Sequence, residues 1–235
     1  MDRVTRHDLK TDKFATEVGH SVQYVAAHRT QVIRYGLAVL VVLVLGVGIY
    51  YFRKSQHETR QADLSAALRL KDAVVGAPQP GDPRPSFGSQ TEKDNAIKKA
   101  FENVIAKHGG SNEAAVAHYS LGSIASDAGK IAEAEKHFRS AVEAGSGGYG
   151  AVAKLSLAQT LQVQGKNADA EKLFRELIAN PTTLVSKEQA TFALVRMLAT
   201  TNPAEARKLL APYEKDSRVA VARIAVSLLA EIPAK

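Results

Sequence analysis

The stretch YSLGSIASDAGKIAEAEKHFRSA at 119–141 decides how this chain is read. Apolar or small residues recur in it at helical spacing, stop at Gly129-Lys130 and resume at Ile131. A second stretch, LSLAQTLQVQGKNADAEKLFRELI at 155–178, breaks in the same way at Gly165-Lys166. A glycine just past a helix end takes the left-handed conformation that terminates it, so each stretch predicts helix, tight turn, helix. The two copies are in register, because Leu121 and Leu157, like Gly129 and Gly165, are 36 apart. Ala134, Ala170 and Ala206 keep that spacing, and so do Phe138, Phe174 and Leu210. A period of this length marks stacked supersecondary units. The alanines belong where two helices cross and a larger side chain would push them apart. The aromatics, one turn further on, are expected to fill the space between neighbouring pairs.

This pattern resembles the tetratricopeptide repeat, which runs through Leu-Gly, a small or aromatic residue, Gly, then Ala and an aromatic. Leu121-Gly122, Ala125, Gly129, Ala134, Phe138 and Ala141 match one copy, and Leu157-Ala158, Leu161, Gly165, Ala170, Phe174 and Pro181 the next. In a third, Leu194 and Leu198 serve the first helix and Asn202-Pro203 stands where the glycine turn would be. The resemblance implies an all-α fold, an α-solenoid of antiparallel helix pairs over 111–216, with units at 111–147, 148–182 and 183–216. Residues 53–110 read as a divergent first pair, helical over 55–75 and 91–108, the second with Ile97, Ala100, Phe101, Val104 and Ile105 on one face. GAPQPGDPRPSFGSQ at 76–90, with its four prolines and three glycines, reads as a mobile loop between them. A helix from about 217 closes the chain, within 217–235, as the cap that a solenoid needs over its last apolar face.

Upstream lies a segment of another kind. Tyr35 to Phe52, YGLAVLVVLVLGVGIYYF, has 18 residues and no charged or amide side chain, hydroxyl other than tyrosine, or proline. At about 1.5 Å per residue it would cross a hydrocarbon core. Its 11 Leu, Val, Ile and Phe residues favour insertion, by about 3–7 kcal/mol in all. Tyrosines at both ends suit the two interfaces. The residues before it, 1–34, read as an amphipathic leader, with Phe14, Val18, Val22, Val25 and Val32 on one helical stripe. A cleaved signal would have a shorter apolar run and a small-x-small site, whereas here Arg53-Lys54-Ser55-Gln56 follows at once. A single-pass anchor at 35–52 is therefore expected. Charge leaves its orientation open. Arg29 and Arg34 flank the segment on one side, and Arg53, Lys54, Arg60, Arg69 and Lys71 on the other. Counted locally, the positive-inside rule keeps the C-terminal domain in the cytoplasm, although long domains cross largely regardless of charge.

Composition narrows the function further. The formal charge is +7, yet residues 55–235 carry 23 bases against 20 acids, with no basic stripe interleaved with aromatics. Nucleic acid is not an expected partner. There is no cysteine, which removes disulfides, thiolate metal sites and a cysteine nucleophile. The seven histidines form no zinc-protease pattern, and His118 and His137 read as packing or surface residues. GSGGYG at 145–150 follows a helix rather than a strand and lacks Gly-Lys-Ser/Thr, so it reads as a turn between repeats. No nucleophile elbow is present. An enzyme, a cofactor and a small-molecule substrate are not expected.

Binding protein is what remains. In a repeat of this kind the first helix of each unit lines a concave face. By the resemblance that face includes Val116, Tyr119, Ser123 and Asp127, then Leu155, Gln159 and Gln162, then Phe192 and Arg196. Such a mixture suits an extended peptide or a partner's loop, and the Lys/Asn clamp for a terminal carboxylate is not visible. Finally, the layout of leader, anchor and repeats resembles the YfgM type of ancillary SecYEG translocon subunit, most closely over SGGYGAVAKLSLAQTLQVQGKNADAEKLF at 146–174. Tyr149-Gly150-Ala151 and Leu155-Ser156-Leu157-Ala158-Gln159 carry that likeness. It implies a bacterial inner-membrane protein with a cytoplasmic N-terminus and a periplasmic repeat domain, in contact with the Sec translocon, translocating chains or periplasmic chaperones. A scaffold for another envelope complex and a cytoplasm-facing adaptor are the alternatives.

Overall fold

In the computed structural model, residues 28–77 and 81–233 are described. They form two compact units, the first ending at Glu58 and the second beginning at Thr59. The stripe expected at Phe14, Val18, Val22 and Val25 lies outside the described residues.

In the first unit the described chain is almost wholly helix α1, which spans Arg29–Arg69 and so also supplies the start of the second unit. From Tyr35 to Phe52 its large apolar side chains are 49–72% exposed. A helix that is apolar all round and covered by none of the described residues is unlike the amphipathic helix of a globular surface. It is long and apolar enough to cross a membrane.

The second unit holds the repeats. Leu64 and Ala67, at the end of α1, pack with Ile97, Phe101 and Val104 of α2 (Gln90–His108). The intervening 76–90 segment is more ordered at its ends than its composition implies. Two-residue strands β1 (Val74–Val75) and β2 (Ser86–Phe87) pair in parallel, Val74 opposite Ser86, and Arg84 forks onto the Asp82 carboxylate at 2.7 Å. Prolines at 83 and 85 need not interrupt so short a ladder, since Pro85 contributes its carbonyl to the Val74 N–H. Ser89 then caps α2 by accepting from the Glu92 N–H at 3.2 Å, while the Glu92 carboxylate reaches past the cap to accept from the Gly88 N–H at 3.0 Å.

Three antiparallel pairs follow: α3 (Asn112–Asp127) with α4 (Ile131–Ala144), α5 (Gly147–Val163) with α6 (Asn167–Ala179), and α7 (Lys187–Thr201) with α8 (Pro203–Leu210). The first two turns are copies of one another. Gly129 (φ +71°) and Gly165 (φ +75°) take the left-handed conformation. Beyond them, Lys130 donates its N–H to the Ala125 carbonyl at 2.8 Å and Lys166 its N–H to that of Leu161 at 2.9 Å. These are Schellman closures, which satisfy helix-end carbonyls within a tight reversal. The third turn works differently. Asn202 accepts the Glu205 N–H at 3.2 Å and Pro203 takes the first helical position, so the next helix is started rather than the last one stopped.

Ala134, Phe138, Ala170, Phe174, Ala206 and Leu210 are each at most 3% exposed. The 36-residue period is therefore the period of the core. Phe138 lies over its own pair as well as the next: a Cβ on Gly122 would stand 2.8 Å from two of its ring carbons. Ion pairs join successive units on the surface, Glu135 to Lys166 at 2.8 Å, Arg175 to Glu205, and Glu188 to Arg218 at 2.7 Å. Helix α9 (Val219–Glu231) closes the stack by burying Ala225 and Leu228. Its outer face is not polar as an end cap's usually is, for Val219, Ile224 and Val226 are 43–70% exposed.

Candidate protein-binding groove

Helices α3 and α5, the first members of adjacent pairs, come side by side along a recess of about 210 Å³. Its apolar lining comes from Ile131 and Phe138 of α4 with Val163 at the end of α5. Its walls carry Ser123, Ser126 and Asp127 from the last turns of α3, and Ser156, Gln159 and Thr160 from α5. Thr160 donates its hydroxyl hydrogen to the Ser156 carbonyl at 2.8 Å, which leaves its oxygen able only to accept. No lining residue is a cation.

Of the nine residues read from sequence as a concave face, Ser123, Asp127 and Gln159 come together here. Val116 and Tyr119 are half-buried further up α3, and the Tyr119 ring stands 5.7 Å from that of Phe138. Leu155 and Phe192 are only 8% and 7% exposed and belong to the core, Phe192 set edge-on to Tyr213 at 5.4 Å. Gln162 is half-buried and Arg196 exposed, and neither borders the recess. On α5 the recess is lined by 156, 159, 160 and 163, a stripe rotated by one residue from 155, 159 and 162. Helical side chains lean toward the N-terminus, so a given patch of surface is covered by a residue about one position later than its backbone implies. That lean is the signal which finds Ser156 and Val163.

A larger recess of about 810 Å³ opens among α6, α7 and α8, beside Lys208, Tyr213 and the Arg175–Glu205 ion pair. None of the nine groove residues borders it.

One polar cluster was not legible in the sequence. His118 of α3 and His137 of α4 bring their Nδ1 atoms to 3.2 Å. One ring must donate and the other accept, so the contact requires a neutral imidazole. Burial, reinforced by its partner, pulls His118 below the usual imidazole range. Burial pulls His137 down too, against the opposing pull of Glu133. Among the described residues no three His, Asp or Glu side chains are grouped to hold a metal ion.

Residues 30–181 match the family model of the tetratricopeptide repeat-like domain. The chain belongs to that family. The matched span begins in α1 and takes in the first two repeat pairs, leaving the third pair and α9 beyond it. No curated protein and no solved structure matches the chain. The repeat-like domain is in its usual form a non-catalytic scaffold for protein contacts, built on the extended concave surface that stacked helix pairs create.

Proposed function

We propose that this chain is a membrane-anchored protein-binding module whose α3–α5 face receives a segment of another polypeptide. The observation that carries the reading is the recess itself, open and lined by both apolar and polar side chains, on the face that this repeat architecture offers to partners. The uncovered apolar surface of Tyr35–Phe52 supports an anchor rather than a core helix. Confinement to a membrane raises the effective concentration of a partner held there, so a modest groove affinity suffices.

The likeness to the YfgM type supports a finer assignment. The partner is then a Sec translocon subunit, a translocating chain or a periplasmic chaperone, and the repeat domain lies in the periplasm of a bacterium with the N-terminus in the cytoplasm. One specific observation favours a second reading, a cytoplasm-facing adaptor: the excess of Lys and Arg just after the anchor.

A photocrosslinking residue at Gln159 in living cells tests the binding face, with the same probe at Lys208 marking the larger recess. Protein adducts from 159 that include a channel subunit, chaperone or nascent chain are expected. Adducts from 208 with none from 159 would remove the groove from consideration. Protease added to spheroplasts should digest residues 59–235, and their survival would put the domain in the cytoplasm.

A further inference from the structure

The recess between α3 and α5 has an electrostatic character that specifies one kind of occupant. It sits where α3 and α5 end, and Ile131 brings the N-terminus of α4 to the same place, so the helix dipoles oppose one another and the side chains set the local charge. Asp127 adds a full negative charge at the same place. Its carboxylate is exposed and makes no ion pair with any described residue, Lys130 three positions on included. A carboxylate at a helix C-terminus is unfavourable for that helix. The hydroxyls of Ser123, Ser126 and Ser156 make no hydrogen bond to another described side chain, and with Thr160 and the Gln159 amide they present acceptors around the rim. Beside them, Ile131, Phe138 and Val163 offer hydrocarbon, Val163 being 72% exposed.

We infer that this recess accepts a lysine or arginine side chain from the bound polypeptide. The aliphatic stem lies along Val163, Ile131 and Phe138, and the cationic head meets Asp127 and the surrounding oxygens. Long basic side chains bury their stems on apolar surface while the charge stays in a polar rim, and a cavity of about 210 Å³ holds one such side chain. An acidic side chain would meet the Asp127 carboxylate with no cationic side chain in the lining to balance it. The inference rests on the groove reading above and adds the class of side chain recognised.

The test uses the full chain in nanodiscs and a hexapeptide library with one position varied among Lys, Arg, norleucine, citrulline and Glu. Norleucine and citrulline keep the stem and lose the charge. Retained peptides are quantified by mass spectrometry for the natural chain and for Asp127→Asn, an isosteric change at an exposed position that leaves the helical spectrum unaltered. Lys and Arg should be enriched about fivefold over their neutral counterparts, the upper range for a partly exposed ion pair, with Glu depleted. In Asp127→Asn that enrichment should fall below twofold while norleucine retention stays constant. Retention of peptides without preference for a cation, or a preference that survives Asp127→Asn, overturns the inference and leaves the groove standing. If no peptide is retained by either protein, both the inference and the groove reading fail.

Discussion

Gly122 is a glycine in the middle of a helix, and replacing it with alanine should nonetheless destabilise the domain. In an open helix the change gains about 1 kcal/mol, because alanine loses less backbone freedom on folding. Here the new methyl would stand 2.8 Å from two ring carbons of Phe138 and 3.1 Å from a third. The ring is 3% exposed, and the one opening it borders is the recess between α3 and α5, so it can yield only by disturbing that site. Inserting a methyl into a packed core costs about 1–3 kcal/mol, so the net loss should be about 1 kcal/mol, or about 2–4 °C in melting temperature for a domain of this size. The second repeat shows that the clash is local and not a rule of the architecture. Ala158 occupies the equivalent position, 36 residues on, and both it and Phe174 are fully buried. Melting is followed by circular dichroism in detergent for Gly122→Ala, Phe138→Leu and the double variant. Alanine should be unfavourable with phenylalanine at 138 and favourable with leucine, a coupling of about 1–2 kcal/mol. Equal stabilisation by alanine in both backgrounds would show that the ring is not held against the glycine. Since Phe138 also lines the recess, the single variant should bind peptide more weakly too.

Gly129→Ala and Gly165→Ala should each lower stability by about 1–2 kcal/mol, because both positions are left-handed; a melting temperature unchanged in either would refute the role given to these turns. Acidification from pH 7.5 to 5.5 should lower the urea midpoint. Both His118 and His137 sit below the ordinary imidazole value when folded, so the unfolded chain takes up protons first, and the stability present above pH about 6.5 is lost as pH falls. His137→Asn should flatten that slope, and a midpoint that rises on acidification would contradict it. Glu135 is held down to about 2, first by Lys166 and then by Arg139 and Gln164. Its stabilising share should be intact above pH about 4.5 and disappear toward pH 2, so Glu135→Gln should narrow the difference between melts at pH 5 and pH 2.5.

What could be read from the sequence was what depends on local backbone chemistry or on strict period. Gly129 and Gly165 announce their turns because few other residues tolerate a positive φ. The alanines and aromatics at 36-residue spacing announce the core because each unit packs on a copy of itself. Where a different chemistry solves the same problem, the pattern goes quiet: Asn202 and Pro203 build the third turn without a left-handed residue. The β1–β2 pairing was hidden because two residues per strand leave no alternation to detect. His118 and His137, 19 positions apart on opposite members of a pair, meet only through the crossing of α3 and α4. Of the groove residues, Ser123, Asp127 and Gln159 line the recess, which on α5 follows a stripe one position away from the one read in the sequence.

The recess and the core follow from a single compositional habit. Small side chains on the inner face of α3, such as Gly122 and Ala125, let α4 and its Phe138 ring approach closely. Small hydroxyl side chains on the neighbouring face, Ser123 and Ser126 on α3 with Ser156 and Thr160 on α5, leave the space between the first helices unfilled. A domain selected only for stability would place leucine or valine at such positions, since filling a cavity of this size stabilises a core. The serines do no structural work that the hydrogen bonds reveal, and Asp127 opposes the dipole of its own helix. Departures from the locally favoured residue gather where a protein meets something else. On the α3–α5 face four of them, Ser123, Ser126, Asp127 and Ser156, surround one opening. That concentration, more than the volume of the recess, is why the proposal places binding at the smaller cavity and not at the larger one.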